Sequence, residues 1–179
     1  MGRVDMGDVA VCALRVGLGA TLFAHGAQKL FGWFGGGGLK GTAEGFHAMG
    51  YRPGGATALV AGASEAVGGA ALVLGAGTPA GGAAVAGTMG VAAEMHAPNG
   101  FFNTEGGVEY PGLLGLAAVS LIAGGPGRLS VDHATGHVFD RPWMRAAAIA
   151  SVAPAVAVVV ARKRKALAAE DGSAAEDEG

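Results

Sequence analysis

The chain contains several long apolar stretches, and nearly every one carries charged side chains at a depth from which lipid excludes charge. A charge inside a bilayer costs roughly 2.5–3.5 kcal/mol on insertion scales, so several together imply mutual pairing and a functional centre. The composition agrees, because 15% of the 179 residues are charged, whereas a soluble domain carries about 25%. The sequence therefore predicts a membrane protein with a polar centre, but this pattern does not name the chemistry performed there.

Glycine is the second unusual feature, with 35 residues spread through the apolar stretches and the loops between them. The glycines alternate with Ala, Val and Leu and follow no three-residue period, which excludes collagen and a flexible linker. Small residues let helix backbones approach closely in lipid, so we expect tight helix packing. One such smooth face would be formed by Gly82, Ala86 and Gly90.

Several function classes are excluded by charge and by cysteine content. The net charge of −2 comes with no basic groove and no aromatic platform, so nucleic acid is not expected as a partner. Cys12 is the only cysteine, which excludes an intramolecular disulfide, a CxxC redox pair and an iron–sulfur cluster. No metal site is predicted, and His47, His133 and His137 are interpreted as loop or surface residues.

We predict an all-α, polytopic membrane helix bundle with a four-helix core and a fifth transmembrane helix near the C-terminus. The predicted spans are residues 9–31, 56–75, 79–97, 111–124 and 143–161. The fourth span is long enough to cross about 30 Å of hydrocarbon only if its helix begins nearer Glu109. A short helix from Thr42 to Met49 is expected in the first long loop, with Phe46 and Met49 resting on the membrane interface.

The chain is accordingly divided into four parts. These are a polar N-terminal tail (1–8), the membrane core (9–132), a linker with the fifth helix and its basic end (133–165), and a disordered acidic tail (166–179). The four cations at residues 162–165 should stay cytoplasmic, which places the loop with Lys40 and Arg52 inside if there are five spans. If the last segment lies on the membrane surface instead, four spans would place both termini inside.

Most of the charged side chains should approach one membrane face, because the first and third spans run in one direction and the second and fourth run back. The residues expected at this face are His25, Lys29, Glu65, Glu94, His96, Glu105 and Glu109. Arg15 lies two heptads before Lys29, within about 40° of it around the first helix. We therefore predict a ring of intramembrane ion pairs, with Arg15 and Lys29 facing three of these carboxylates. The three are Glu65, Glu94 and Glu109.

Each of these residues also has an ordinary explanation. Arg15 and Lys29 could extend towards opposite interfaces without a function. Glu65 lies in mid-span, and its alternative role is an architectural ion pair that fixes helix register. His25 and His96 share a depth and could ligate haem or a metal, but two such histidines are more often hydrogen-bonded interface residues. Glu105 could be a solvated loop charge.

Short motifs in a fixed order resemble the DoxX family of membrane proteins. They are LRVGLG (14–19) with HGAQKLFG (25–32), SEAVGG (64–69) with LVLG (72–75), and EYP (109–111) with GGPGRLSVD (124–132). Each motif is weak alone, but their order and spacing are fairly specific and extend from Leu14 to Asp132. The resemblance implies a compact four-helix membrane core.

The resemblance also implies an association with redox chemistry. Members of the family have been linked to thiosulfate:quinone oxidoreductase subunits and to membrane complexes that handle oxidative and thiol stress. The positions of this sequence to which the resemblance assigns the charged and polar site of the family are Arg15, His25, Lys29, Glu65 and Glu109. Tyr110, which follows Glu109, and His96 are secondary candidates. The sequence has no nucleotide-binding glycine pattern on a strand–helix unit and no haem-attachment motif, so an electron carrier would have to be a quinone or belong to a partner.

Three functions remain open from the sequence. The first is a multi-pass cell-membrane subunit of a redox complex, in which His25 or Lys29 binds a quinone oxygen and Glu65 or Glu109 relays a proton. The second is a non-catalytic scaffold that recruits a soluble redox enzyme. The third is a small proton-coupled transporter, for which so short a chain could act as a homo-oligomer.

Overall fold

The structure is a computed structural model that describes residues 3–177, with side chains through residue 173. Its regular structure over this range is entirely helical. The helices are α1 (Met6–Phe31), α2 (Gly38–Ala48), α3 (Gly54–Leu74), α4 (Thr78–His96), α5 (Glu109–Gly124), α6 (Val131–Ala134) and α7 (Pro142–Asp177). The prediction of an all-α membrane helix bundle is confirmed. The first four predicted spans agree with α1, α3, α4 and α5 to within three residues at each end.

Three of these helices are long and apolar enough to cross a membrane, namely α1, α3 and α7. α5 is equally apolar in character but shorter, and it begins at Glu109, as the length of its span requires. α1 begins inside the predicted polar tail because the Asp5 carboxylate accepts a hydrogen bond from the backbone N–H of Asp8, and the Asp8 carboxylate accepts one from the backbone N–H of Asp5. This reciprocal cap satisfies two of the backbone N–H groups at the start of the helix. Residues 1–2 of the predicted tail lie outside the described part of the chain.

The short helix in the first long loop differs from its prediction. α2 begins at Gly38, the last of four successive glycines, rather than at Thr42. Phe46 is buried against Tyr51 and Ala58 instead of lying at an interface, whereas Met49 is exposed. The hydroxyl of Thr42 donates to the backbone oxygen of Lys29, so it ties α2 to α1 and does not cap α2.

α7 is far longer than the predicted fifth span of residues 143–161. The helix continues through the basic residues 162–165 and into the acidic tail as far as Asp177, and residues 178–179 lie outside the described part. The segment predicted to be a disordered tail is therefore helical over most of its length. Side chains anchor its first part, because Leu167 packs on Gly50 and Glu170 forms an ion pair with Arg52.

α1 and α3 are antiparallel and pack with their backbones in contact. A Cβ atom on Gly19 would lie 2.5 Å from the carbonyl oxygen of Gly69, and one on Gly69 would lie 2.5 Å from the carbonyl oxygen of Gly19. Because no side chain fits at either position, glycine is required at both. This close approach brings the end of α1 alongside the middle of α3, where Gly62 packs on Leu30.

The other helices complete the bundle on the far side of α3. α4 runs back beside α3 and packs against both α5 and α7. The predicted stripe of small residues divides between these two neighbours, since Gly82 faces Ile122 of α5 and Gly90 faces Val156 of α7. The main core is a cluster of eight buried residues drawn from four helices. They are Leu18, Leu22, Leu72, Val85, Ala86, Met89, Ala118 and Leu121.

The two ends of the bundle have different characters. The end with α2, Lys40, Arg52 and residues 162–165 is called the basic end below. The opposite end holds the start of α1, the start of α4 and the whole of α6, and it is called the α6 end. At the α6 end, the buried carboxylate of Asp132 accepts hydrogen bonds of 2.8 and 2.9 Å from the backbone N–H groups of Gly77 and Thr78. This cap fixes α6 to the start of α4.

Candidate functional site

A cavity of about 500 Å³ lies between α3, α4 and α7 near the basic end. Small side chains create the space, because Ala61 and Ser64 of α3 face Ala83 and Gly87 of α4 across it. Val156 and other apolar residues of α7 form the third wall. Cavities of this volume and mostly apolar lining are typical of sites for small organic ligands.

An ion pair lies in the wall of this cavity. The ammonium nitrogen of Lys29 is 2.6 Å from Oε2 of Glu65, and both residues line the cavity. Glu65 is the twelfth residue of α3, about 16 Å from the start of that helix at 1.5 Å per residue, and only 2% of its side chain is exposed. Lys29 retains 27% exposure. The arrangement places a cationic donor and a carboxylate beside an apolar space at membrane depth.

Glu94 is paired beside the polar end of the cavity, which is lined by Tyr51, Arg52, Arg162 and Lys163 and is called the cavity mouth. The hydroxyl of Tyr51 donates to Oε2 of Glu94 at 2.5 Å, and the ammonium of Lys163 lies 3.0 and 3.1 Å from the two carboxylate oxygens. The same ammonium lies 4.9 Å from the centre of the Tyr51 ring. Burial and the neighbouring Glu94 carboxylate raise the pKa of Tyr51 well above its ordinary value.

Lys163 and Tyr51 were not predicted from the sequence as partners of Glu94. Lys163 belongs to the basic run, which was interpreted only as a topology signal. The number of spans would have indicated this partner. A fifth span runs parallel to α4, so the basic residues at its end lie at the same face as Glu94. Tyr51 lies in the loop before α3 and carried no signal in the sequence.

Arg15 does not join this group and lies at the α6 end. Fourteen residues separate Arg15 from Lys29, which is about 21 Å along a helix, so sharing one side of α1 does not bring them together. The buried guanidinium of Arg15 donates to the backbone oxygen of Leu129 at 2.6 Å and lies 3.7 Å from the sulfur of Cys12. Among the described side chains it forms no ion pair with a carboxylate. Of the predicted ring, only the pair of Lys29 with Glu65 forms, and Glu94 pairs instead with Lys163, which was not predicted.

The remaining candidates lie around the start of α5. Nε2 of His25 is 3.3 Å from the hydroxyl of Tyr110, within hydrogen-bond distance. Glu109 accepts a hydrogen bond of 2.9 Å from the backbone N–H of Asn103, so it caps a loop and pairs with neither Lys29 nor Arg15. Nδ1 of His96 donates to the backbone oxygen of Gly106 at 2.6 Å, and His96 also lines the cavity.

The described residues contain no group of three or more His, Cys, Asp or Glu side chains placed to hold a metal ion. Chemically, the site therefore consists of an apolar space, one embedded ion pair and a polar mouth. Such a site can bind an amphipathic molecule, donate a hydrogen bond to it and exchange a proton with it.

A family model described as DoxX matches residues 10–102, more than half of the chain. The chain belongs to the DoxX family. Together with the three long apolar helices, this membership identifies a membrane protein. A search of curated proteins and a search of solved structures each found no match.

The DoxX match includes α1 to α4 and hence Lys29, Glu65 and Glu94. It ends before α5, so the motifs at residues 109–111 and 124–132, which also contributed to the resemblance, lie outside it. α7, the third wall of the cavity, lies outside it as well. The cavity of this DoxX protein is thus built partly from the matched region and partly from the C-terminal segment.

Proposed function

We propose that this DoxX protein is a membrane subunit of a redox-associated complex and that it binds a quinone or another small reductant in the cavity between α3, α4 and α7. The observation that carries the proposal is the Lys29–Glu65 ion pair, which is embedded in the wall of a mostly apolar space of about 500 Å³. The family resemblance adds the link to redox chemistry.

The shape and polarity of the cavity suit a quinone head group. A quinone is a flat apolar ring with two carbonyl oxygens that accept hydrogen bonds. The Lys29 ammonium would donate to one oxygen, and the walls of Ala, Gly and Val would enclose the ring. A charge-assisted hydrogen bond of this kind is worth about 1.5–3 kcal/mol.

Reduction of a quinone to a quinol consumes two electrons and two protons. The Lys29 ammonium is the acid of the ion pair and can deliver a proton to the bound ring, and the Glu65 carboxylate can then pass a proton from water to the Lys29 amine for the second transfer. His25 with Tyr110 offers a further polar pair towards the start of α5. The electrons must come from a reductant such as thiosulfate or from a soluble redox enzyme that docks on the complex.

We also propose that the chain crosses the cell membrane five times, with the basic end in the cytoplasm. α1, α4 and α7 run in one direction, and α3 and α5 run back between them. Arg52, Lys40 and the cations of residues 162–165 all lie at the basic end, as the positive-inside rule requires of the cytoplasmic side.

The test is equilibrium binding of a short-tailed benzoquinone or naphthoquinone to the full chain in mild detergent. We expect Lys29→Met to weaken binding at least about tenfold, the loss of one charge-assisted hydrogen bond, and Glu65→Gln to change the affinity by less, because the Lys29 ammonium remains. The matched controls are Lys40→Met and Glu44→Gln, because these side chains form a similar pair but are 92% and 69% exposed. Equal affinity in all four variants would exclude the cavity as the quinone site.

A membrane scaffold is the second candidate, and the ion pairs that fasten α7 favour it. Arg145 near the start of α7 pairs with the buried Asp140, and Lys163 pairs with Glu94. Such pairs could serve only to fix the position of the helix. The exchange of Lys29 and Glu65 for each other separates the two functions. A scaffold would recover both folding and partner recruitment in the exchanged variant, whereas a quinone site would recover folding without binding.

A further inference from the structure

We propose that His133 and His137, at the α6 end, form a binding site for a divalent transition-metal ion such as Zn²⁺ or Cu²⁺. The two histidines lie on the connection between α5 and α7, one in α6 and the other in the turn that follows it. They are at the opposite end of α4 from the cavity mouth, so this site does not depend on the proposed quinone function.

The distance between the ring nitrogens fits a shared metal ion. Nδ1 of His133 is 3.2 Å from Nε2 of His137, and the ring planes meet at 76°. Two imidazole nitrogens that each lie 2.0–2.1 Å from a tetrahedral ion are about 3.3 Å apart. The two nitrogens therefore already have the spacing of ligands, and both histidines reach solvent, from which an ion can enter.

Asp140 determines which nitrogen of His137 is free to bind. Nδ1 of His137 lies 3.0 Å from Oδ2 of Asp140, so Nδ1 keeps its proton and donates to the carboxylate. The lone pair of Nε2 then points towards His133. Metal-ligating histidines almost always donate their second N–H to a carboxylate, a backbone carbonyl or water, and here a carboxylate accepts it.

The carboxylate is itself held in place. The Nε atom of Arg145 donates to Asp140 at 2.6 Å, and the Asp140 side chain is fully buried. Without a metal, the Nδ1–H of His133 donates to Nε2 of His137. On metal binding, His133 would move this proton to its own Nε2 and present Nδ1 to the ion, so no charge has to be created on either ring.

The backbone also holds His137 in this position. Its φ angle is +59°, in the left-handed region that residues with a side chain rarely adopt. The backbone N–H of His137 donates to the carbonyl oxygen of Asp132 at 2.6 Å, and the Asp132 carboxylate is fastened to the start of α4. Strained residues held by their surroundings occur mainly at functional sites. The ring of His137 is therefore positioned before any ion arrives.

Two protein ligands leave the other coordination positions to water. We therefore expect an exchangeable ion that binds more tightly as Cu²⁺ than as Zn²⁺. Mg²⁺ and Ca²⁺ favour oxygen ligands, so we expect no measurable binding of either. Because Asp140 joins His137 to Arg145, the bound ion would be coupled to the position of α7.

The experiment measures Zn²⁺ and Cu²⁺ binding to the full chain, prepared in detergent without a histidine tag and stripped of metal. A chromophoric chelator in competition would report the affinity. His133→Ala and His137→Ala should each lower it by about tenfold or more. His47→Ala is the matched control, since His47 is an exposed histidine on α2 at the other end of the molecule, and it should leave the affinity unchanged.

A second measurement keeps the proposal testable if a variant folds poorly. The electron paramagnetic resonance spectrum of Cu²⁺ on the unsubstituted chain should show two coordinated imidazole nitrogens at one ion per chain. A spectrum with fewer than two nitrogens would overturn the proposal. So would equal affinity in the unsubstituted chain and in the variant that lacks both histidines.

Discussion

The Lys29–Glu65 ion pair gives the sharpest test of how the membrane core is held together. Replacing Lys29 with Met removes the cation but leaves the Glu65 carboxylate, which is 2% exposed, without its partner. Loss of one member of a buried pair costs about 3–5 kcal/mol because the remaining charge is uncompensated. Since 27% of Lys29 is exposed, water from the cavity can reach the pair, and we expect a value near the lower limit, about 3 kcal/mol.

Replacing the other member of the pair, Glu65, should lower stability by less. Glu65→Gln leaves an ammonium that can turn towards the cavity, so we expect about 1–2 kcal/mol. The double variant, with Met and Gln, has no buried charge and should lie within about 1 kcal/mol of the unsubstituted chain. The order of the three costs, rather than any single value, identifies a buried pair.

The assay is reversible unfolding in mixed micelles, followed by helix content as the proportion of denaturing detergent rises. Lys40→Met serves as the reference, because an exposed pair contributes about 0–1 kcal/mol. The reasoning is refuted if Lys29→Met costs no more than Lys40→Met. It is also refuted if the double variant is as unstable as the worse single variant, because removing both charges should abolish the cost of an unpaired buried charge.

Three further predictions use other contacts. Gly19→Val should destabilise the bundle by more than about 3 kcal/mol, because its Cβ would meet the backbone of α3, whereas Gly17→Val, with open space around it, should cost under about 1 kcal/mol in the same assay. Asp132→Ala leaves two N–H groups at the start of α4 unpaired and should lower stability by about 2 kcal/mol, measured against Asp132→Asn, which keeps an acceptor. The folded state raises the pKa of Tyr51, so the stability that its proton contributes is present below about pH 10 and is lost as the pH rises further. The advantage of the unsubstituted chain over Tyr51→Phe in thermal unfolding should therefore shrink above about pH 10, and an advantage that stays constant to pH 12 would contradict this.

The helices could be read from the sequence because lipid imposes simple conditions on length and polarity. Apolar runs such as residues 9–31 and 56–75 must be helical to satisfy their backbone groups, and their ends follow from Gly, Pro and polar residues. The same reasoning failed for α7, where the helix continues past Ala161. Beyond that point hydropathy carries no information, and contacts such as Leu167 on Gly50 decide the structure.

The site could be predicted only in part, and the reason is geometric. Placing Lys29 and Glu65 at a common depth required only the rise per residue and the direction of each helix. Arg15 was grouped with them by its angle around α1, although the rise along the helix carries it to the other end. The partner of Glu94 depended on the fifth helix, whose position could not be obtained from the run of cations alone.

The way α7 is fastened has a consequence for how a guest molecule would reach the interior. Ion pairs hold the helix near the two ends of the bundle, at Arg145 and Lys163, whereas its middle meets α4 through Gly90 and Val156. A helix that is fixed at both ends and makes only apolar contacts at its centre can bend outwards while both ion pairs stay intact. The hydrocarbon tail of a guest molecule could then enter the cavity laterally from the bilayer, and the polar mouth would need to admit only water and protons.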